Sequence, residues 1–149
     1  MIRKAKIKDI KKIQELINFY AKKDLMLPRS LNELYENLRD FFVYEEKSKL
    51  LGCCALHVSW QDLAEVKSVA VSPKHRHKGI GTKLIDAAVN EAKLLGIKQL
   101  FALTYVPLFF KRHGFRRLAK SKLPHKIWSE CIYCHKFPNC DETALIRKL

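Results

Sequence analysis

The stretch that most constrains this sequence is a β-rich run, residues 63–71, that leads through a polar loop into Arg76-His77-Lys78-Gly79-Ile80-Gly81. A long amphipathic segment follows, in which Leu84, Ile85, Ala88, Ala92 and Leu95 recur at helical spacing up to Gly96. A strand, a glycine-containing turn and a helix start, in that order, predict an anion site. The first helical turn has unpaired N–H groups, and the helix dipole favours negative charge beside them. Glycine lets the turn tighten and lets a ligand approach without a Cβ in the way. Arg76, His77, Lys78 and Lys83 add charge around it. Taken alone, G-x-G also fits an ordinary strand-to-helix loop. A P-loop would need Gly-Lys-Ser/Thr after four intervening residues, and a dinucleotide fold a third glycine; neither is present.

Upstream, Ile7, Ile10, Ile13, Leu16, Ile17 and Tyr20 form one stripe, which predicts an amphipathic helix over residues 9–22. Residues 25–29 read as a loop. Ser30 with Glu33 makes a capping-box pattern ahead of Leu31, Leu34, Tyr35 and Leu38. Two β-rich runs, residues 41–45 and 50–59, flank the polar Glu46-Lys47-Ser48-Lys49, a hairpin signal, and Trp60-Gln61-Asp62 makes the next turn. Within residues 63–71, a period of two puts Glu65, Lys67, Val69 and Val71 on one face and Ala64, Val66, Ser68 and Ala70 on the other, provided no bulge intervenes. Residues 98–104 read as a buried strand, Pro107 opens a short helix that Gly114 stops, and residues 115–119 and 143–146 read as strands. Strands first antiparallel and then joined through helices predict a mixed α+β fold. Its central, mostly antiparallel sheet is flanked by helices in one domain, residues 1–149.

At 149 residues, 48% hydrophobic and 30% charged, the chain suits one globular core. Its apolar runs are too short to span a bilayer and its N-terminal segment is charged, so the expectation is a cytoplasmic protein with no membrane partner. Lys and Arg number 29 against 15 acidic residues, a formal charge of +14. That charge fits a basic soluble surface, a nucleic-acid face, or a field that captures a polyanionic cosubstrate. No helix-turn-helix, zinc-finger or RNA-stacking motif accompanies it, so nucleic acid is not expected. Five cysteines without a secretory leader point to reduced thiols. Cys131-Ile132-Tyr133-Cys134-His135 matches the haem-attachment pattern, which would require export. Cys131, Cys134 and Cys140 with His125 or His135 have the elements of a zinc site, but the second ligand pair is incomplete; packing thiols and no metal are expected. Cys53 and Cys54 point to opposite faces of a strand and read as core, as do Phe41-Phe42 and Phe109-Phe110.

Ala64-Glu65-Val66-Lys67-Ser68-Val69-Ala70-Val71 followed by Arg76-x-x-Gly79-x-Gly81 resembles the core of the GNAT superfamily of N-acetyltransferases. Phe109-Phe110-Lys111-Arg112-His113-Gly114-Phe115 is similar to that family's closing helix, turn and strand. The resemblance implies a GNAT fold and acetyl-CoA as cosubstrate. A narrower one rests on Leu27-Pro28-Arg29-Ser30-Leu31, on Leu103-Thr104-Tyr105-x-Pro107-x-Phe109-Phe110 and on Leu123-Pro124-x-Lys126-x-Trp128-x-x-Cys131-x-x-Cys134. These look like the short, single-domain amino-acid N-acetyltransferases, which resemble the acetyltransferase half of N-acetylglutamate synthase. That implies L-glutamate as acceptor, with L-glutamine close behind, and the entry step of arginine biosynthesis. Polyamines, aminoglycosides and peptides are the other acceptors to weigh, and a non-catalytic nucleic-acid-binding or regulatory domain is the rival class. Association into a homodimer stays open.

By that resemblance, Glu65 sits at the family's base position, and its bland alternative is a salt-bridged strand carboxylate. Val69, Ala70 and Val71 would meet the pantetheine arm through their backbone. Arg76, His77, Lys78, Gly79, Ile80, Gly81 and Thr82 would hold the pyrophosphate. Many members carry a tyrosine that protonates the leaving thiolate; Phe110 stands at the matching place here. Tyr105 is the substitute acid if its hydroxyl faces the thiol, and otherwise a pocket or packing residue. A dianionic acceptor needs paired cations, for which Arg29 comes first, Lys67 second and Lys126 third.

Overall fold

The computed structural model describes residues 1–123 and 142–149. Lys126, Trp128 and the cysteines of the 124–141 segment lie outside the described residues, and with them the zinc and haem questions.

The chain runs β1 (Ile2–Lys4), α1 (Ile10–Ala21), α2 (Leu31–Glu36), β2 (Phe41–Glu46), β3 (Lys49–Trp60), β4 (Leu63–Val71), α3 (Ile80–Leu94), β5 (Gln99–Thr104), α4 (Pro107–Arg112), β6 (Arg116–Arg117) and β7 (Thr143–Lys148). Among the described residues these strands form one sheet in the order β1-β2-β3-β4-β5-β7-β6. Only β4 and β5 pair in parallel. This is the mixed, mostly antiparallel sheet with flanking helices that the sequence predicts.

Strand alternation distributes the core over the two faces of the sheet. Cys54, Leu56, Ala64, Val66, Leu100 and Ala102 pack under Leu84, Ile85, Ala88 and Ala92 of α3. Phe41, Val43, Cys53 and Ala55 pack under Ile10, Ile13 and Ile17 of α1. Cys53 and Cys54 are both buried free thiols, facing opposite ways as expected. Lys47 and Ser48 both take positive φ (50° and 65°), the two-residue hairpin geometry that matches strand twist. Ser30 Oγ accepts from the Glu33 N–H at 3.1 Å, so the predicted cap forms. The Glu33 carboxylate turns to Arg29 Nη1 instead of closing the box.

Three sequence expectations are corrected. Ile7 is exposed, because a single 3-10 turn, Ile7–Asp9, precedes α1, and Asp9 is tied to Arg3 at 2.8 Å. Leu95 is exposed at the end of α3, and Val89 takes the buried place. The strand expected over residues 115–119 shrinks to Arg116–Arg117, the two residues that pair with β7.

Candidate active site

The fourth correction shapes the site. Between β3 and β4 the register runs from Cys53↔Ala70 to Ala55↔Lys67, so two β4 residues, Ser68 and Val69, oppose Cys54 alone. Ser68 has φ +55°, a conformation a non-glycine residue holds only when its surroundings fix it. The bulge reverses the alternation beyond it. Val69 and Val71 pack on the α3 side with Ala64 and Val66. Ala70 faces α1, the side that Glu65 and Lys67 also occupy. Glu65, Lys67, Val69 and Val71 therefore do not share a face.

Pairing of β4 with β5 covers only Leu63↔Gln99 to Glu65↔Phe101. Past Glu65 the two strands part, and a cavity of about 510 Å³ opens between them, a size that suits a small-molecule site. Its wall takes in Glu65 to Val71 of β4, Leu103 and Thr104 of β5, and Phe109 and Phe110 of α4. Glu65 is buried at the point of divergence. Directly across the ladder stands His57, whose Nδ1 lies 2.7 Å from Asp40 Oδ2.

The loop after β4 reaches α3 through His77 (φ +64°) and Gly79 (φ +80°). Gly79 is the N-cap residue, and its left-handed backbone is what glycine accepts without strain. No side chain caps this end of α3, whose first-turn N–H groups have no helical partner, and Gly79, Ile80, Gly81 and Thr82 line the cavity. Arg76 and His77 belong to the same wall, whereas Lys78 does not. Gly81 has a different reason from the one its motif suggests. A Cβ there would sit 2.9 Å from Phe109 Cε1, so the missing side chain seats α4 against α3. Thr82 and His113 reinforce that seat. His113 Nδ1 donates to the Phe109 carbonyl at 2.7 Å, which in the neutral ring leaves Nε2 to accept from Thr82 Oγ1 at 2.9 Å.

Arg29 lines the cavity from the loop before α2. Its Nη1 donates to Glu33 at 3.1 Å, Gln14 Nε2 holds its carbonyl at 3.1 Å, and its buried Nε has no partner among the described residues. Lys67 is half-buried in the same wall. Tyr105 is half-buried but stands outside the lining, which passes through Thr104 and Val106 on either side of it. Phe110 is buried in the wall. Among the described residues, Arg29, Lys67, Arg76 and Arg112 are the lysine and arginine side chains of the lining, against the carboxylates Glu65 and Glu142.

Tyr20 and Glu142 are among the wall residues that the sequence does not mark as part of a site. Tyr20 looks like the last residue of a core stripe, yet its hydroxyl donates to the Val71 carbonyl and its ring lines the cavity. Burial pushes its pKa up, and the nearby Arg76 charge acts against that. Glu142 is buried just before β7, in a tail whose sequence has no clear periodicity.

Comparison with known proteins identifies the family. A family profile described as an acetyltransferase (GNAT) domain matches residues 37–117. An uncharacterized N-acetyltransferase of Chlorobaculum tepidum is 38% identical over 148 residues, covering 99% of this chain and 96% of that protein. An amino-acid acetyltransferase of Mycobacterium tuberculosis is 35% identical over 133 residues, 87% of this chain and 76% of its own length. N-acetylglutamate synthase from Neisseria gonorrhoeae, solved with coenzyme A and N-acetyl-glutamate, superposes on all of this chain with a TM-score of 0.91 at 28% identity; the match spans 35% of that chain.

Proposed function

The chain belongs to the GNAT acetyltransferase family, and from that premise we propose that it acetylates the α-amine of L-glutamate with acetyl-CoA, the entry step of arginine biosynthesis. The observation that carries this reading is a buried carboxylate, Glu65, set in a cavity wall that also holds Arg29 and Lys67. A polyamine or aminoglycoside acceptor would meet those cations unfavourably. The coenzyme A and N-acetyl-glutamate bound in the Neisseria synthase support the same pairing of ligands.

The chemistry follows from what an amine and a thioester need. Near neutral pH an α-amine is mostly protonated, so it must lose a proton before it attacks. Glu65 takes that proton, directly or through a water. The free amine adds to the thioester carbonyl, and backbone N–H groups of the bulged strand stabilise the oxyanion. Collapse breaks the C–S bond and releases the thiolate, and the proton left on the acylated nitrogen balances it. Phe110 has no proton to give, but a thiol with an ordinary pKa near 8.5 leaves without a strong acid. Tyr105 keeps a supporting role at most, since its place is outside the cavity wall.

In this reading the pyrophosphate rests on the N–H groups of residues 79–82, with Arg76 and His77 adding charge and Lys78 acting from outside the wall. The backbone of Val69, Ala70 and Val71 meets the pantetheine amides, and Phe110 packs beside the arm. Arg29 and Lys67 hold the carboxylates of the amino acid, with Lys126 as a third cation. No step calls for a metal.

The test is a thiol-release screen of free amino acids, polyamines and peptides with acetyl-CoA. L-glutamate leads it, with L-glutamine next. A screen led by spermidine or a peptide would sink the acceptor assignment and leave acetyl transfer standing.

A further inference from the structure

Two side chains that the reaction scheme leaves unused end on the backbone of the splayed half of β4. Cys53, on the neighbouring strand, is fully buried on the α1 side of the sheet. Its thiol donates to the Ser68 carbonyl at 3.4 Å. That contact falls where the register between β3 and β4 slips. At the far end of the segment, Tyr20 reaches from α1 and donates to the Val71 carbonyl. Over these same residues β5 supplies no ladder partner, because its pairing with β4 stops at Glu65.

We propose that Cys53 and Tyr20 are positioning residues that clamp the bulged segment from Ser68 to Val71, so that its backbone is preset for the cosubstrate. The inference rests on the reading that acetyl-CoA lies along this segment, and deepens it. Ser68 at φ +55° is strained, and strain of that kind persists only where neighbouring groups over-determine it. The clamp supplies those groups from two separate layers, β3 and α1. Its donors are also durable. Burial pushes the Cys53 thiol up to about 12, so it keeps its proton at any physiological pH. The same burial rules Cys53 out as a nucleophile, since a thiolate is the reactive form. Ordinary core packing, the bland account of a buried cysteine, does not explain the thiol's hydrogen bond to Ser68.

The variants that separate the two accounts are Tyr20→Phe, which keeps the ring and removes only the hydroxyl, and Cys53→Ser set against Cys53→Val. If the clamp operates, Y20F and C53V each weaken acetyl-CoA binding by about threefold to tenfold in calorimetry, the worth of one hydrogen bond. KM for acetyl-CoA rises by the same factor and kcat stays within about twofold. C53S, which retains the donor to Ser68, binds close to wild type. Hydrogen exchange of the unliganded protein gives the readout that does not need turnover: the peptide covering residues 66–72 exchanges faster in Y20F and C53V, and other strands do not. If wild type binds acetyl-CoA but Y20F and C53V bind it equally well with unchanged exchange, the clamp is refuted. If C53S behaves like C53V, or C53V like wild type, the cysteine is only packing. If wild type itself ignores acetyl-CoA, the cosubstrate reading fails first and the inference falls with it.

Discussion

Replacing Gly81 by alanine sets two opposed effects against each other, and the geometry decides which wins. Gly81 lies in the first turn of α3, where alanine is intrinsically better than glycine by up to about 1 kcal/mol. The added Cβ, however, would meet Phe109 Cε1 at 2.9 Å and Cζ at 3.2 Å. Carbon atoms settle about 3.5–4.0 Å apart, so the ring must yield by roughly 0.6 Å or more. It has little freedom to do so. Phe109 packs edge-on against Phe110 with centroids 5.2 Å apart and lies 4.7 Å from the His113 ring. Overpacking of this kind costs about 1–3 kcal/mol, so Gly81→Ala should destabilise the protein by about 0.5–2 kcal/mol in urea unfolding. In a Phe109→Leu background the clash is gone, and the same substitution should stabilise by about 0.5–1 kcal/mol. A double-mutant cycle would then show a coupling of about 1–3 kcal/mol. Equal effects of Gly81→Ala in both backgrounds would show that the ring is free to move, and the account of Gly81 as a packing glycine would be refuted.

Glu65→Gln should leave acetyl-CoA affinity unchanged and lower kcat about a hundredfold or more near neutral pH, with the deficit shrinking at high pH as free amine accumulates; an unaltered neutral rate would remove Glu65 from the mechanism. Arg29→Ala should raise KM for the amino acid far more than it lowers kcat, because the clamp holds ground state and transition state alike. Equal losses in kcat and kcat/KM would instead assign Arg29 to the chemical step. Away from the site, the hydrogen bonds from Arg3 hold the Asp9 carboxyl below its ordinary value, and the Lys6 N–H adds to that against the effect of burial. A depressed carboxyl contributes stability above its unfolded value near 3.9, lost as pH falls through the folded one. Arg3→Met should therefore cost about 2–4 kcal/mol at pH 7, and the gap to wild type should close below about pH 4. A gap that stays constant down to pH 3 would contradict the pairing.

Much of the fold was legible because its punctuation is local. Gly79, Gly96 and Gly114 all adopt positive φ, and Ser30 and Pro107 sit at helix starts, so the element order could be read from single residues. The bulge had no such mark. Ser68 is neither glycine nor proline, and its positive φ is imposed by the slipped pairing with β3 and by side chains distant in sequence, so strict alternation placed Val69 and Val71 with Glu65. Non-local pairing hid the place of β7, though not its existence: it enters between β5 and β6, an arrangement that no local pattern encodes. The cavity wall takes in the strand, loop and helix residues of the motif, Glu65 to Val71 and Arg76 to Thr82 except Lys78, because the motif is contiguous in sequence. Tyr20 was not legible in that way, since its apolar ring fits a helix stripe and only the tertiary fold brings its hydroxyl to Val71. Tyr105 follows a buried strand and stands half-buried beside the lining, between Thr104 and Val106, so of the two roles its sequence position leaves open the packing one agrees with its place.

The central claim is that one cavity brings acetyl-CoA and an amino-acid α-amine together. The most direct test supplies acetyl-CoA labelled with ¹³C at the acetyl carbonyl and L-glutamate labelled with ¹⁵N, and follows the mixture by NMR. The account predicts a new amide with a one-bond ¹³C–¹⁵N coupling, formed at a rate proportional to enzyme and lost in Glu65→Gln at neutral pH. An acetyl label that stays on coenzyme A, or that reaches only solvent as acetate, would contradict it.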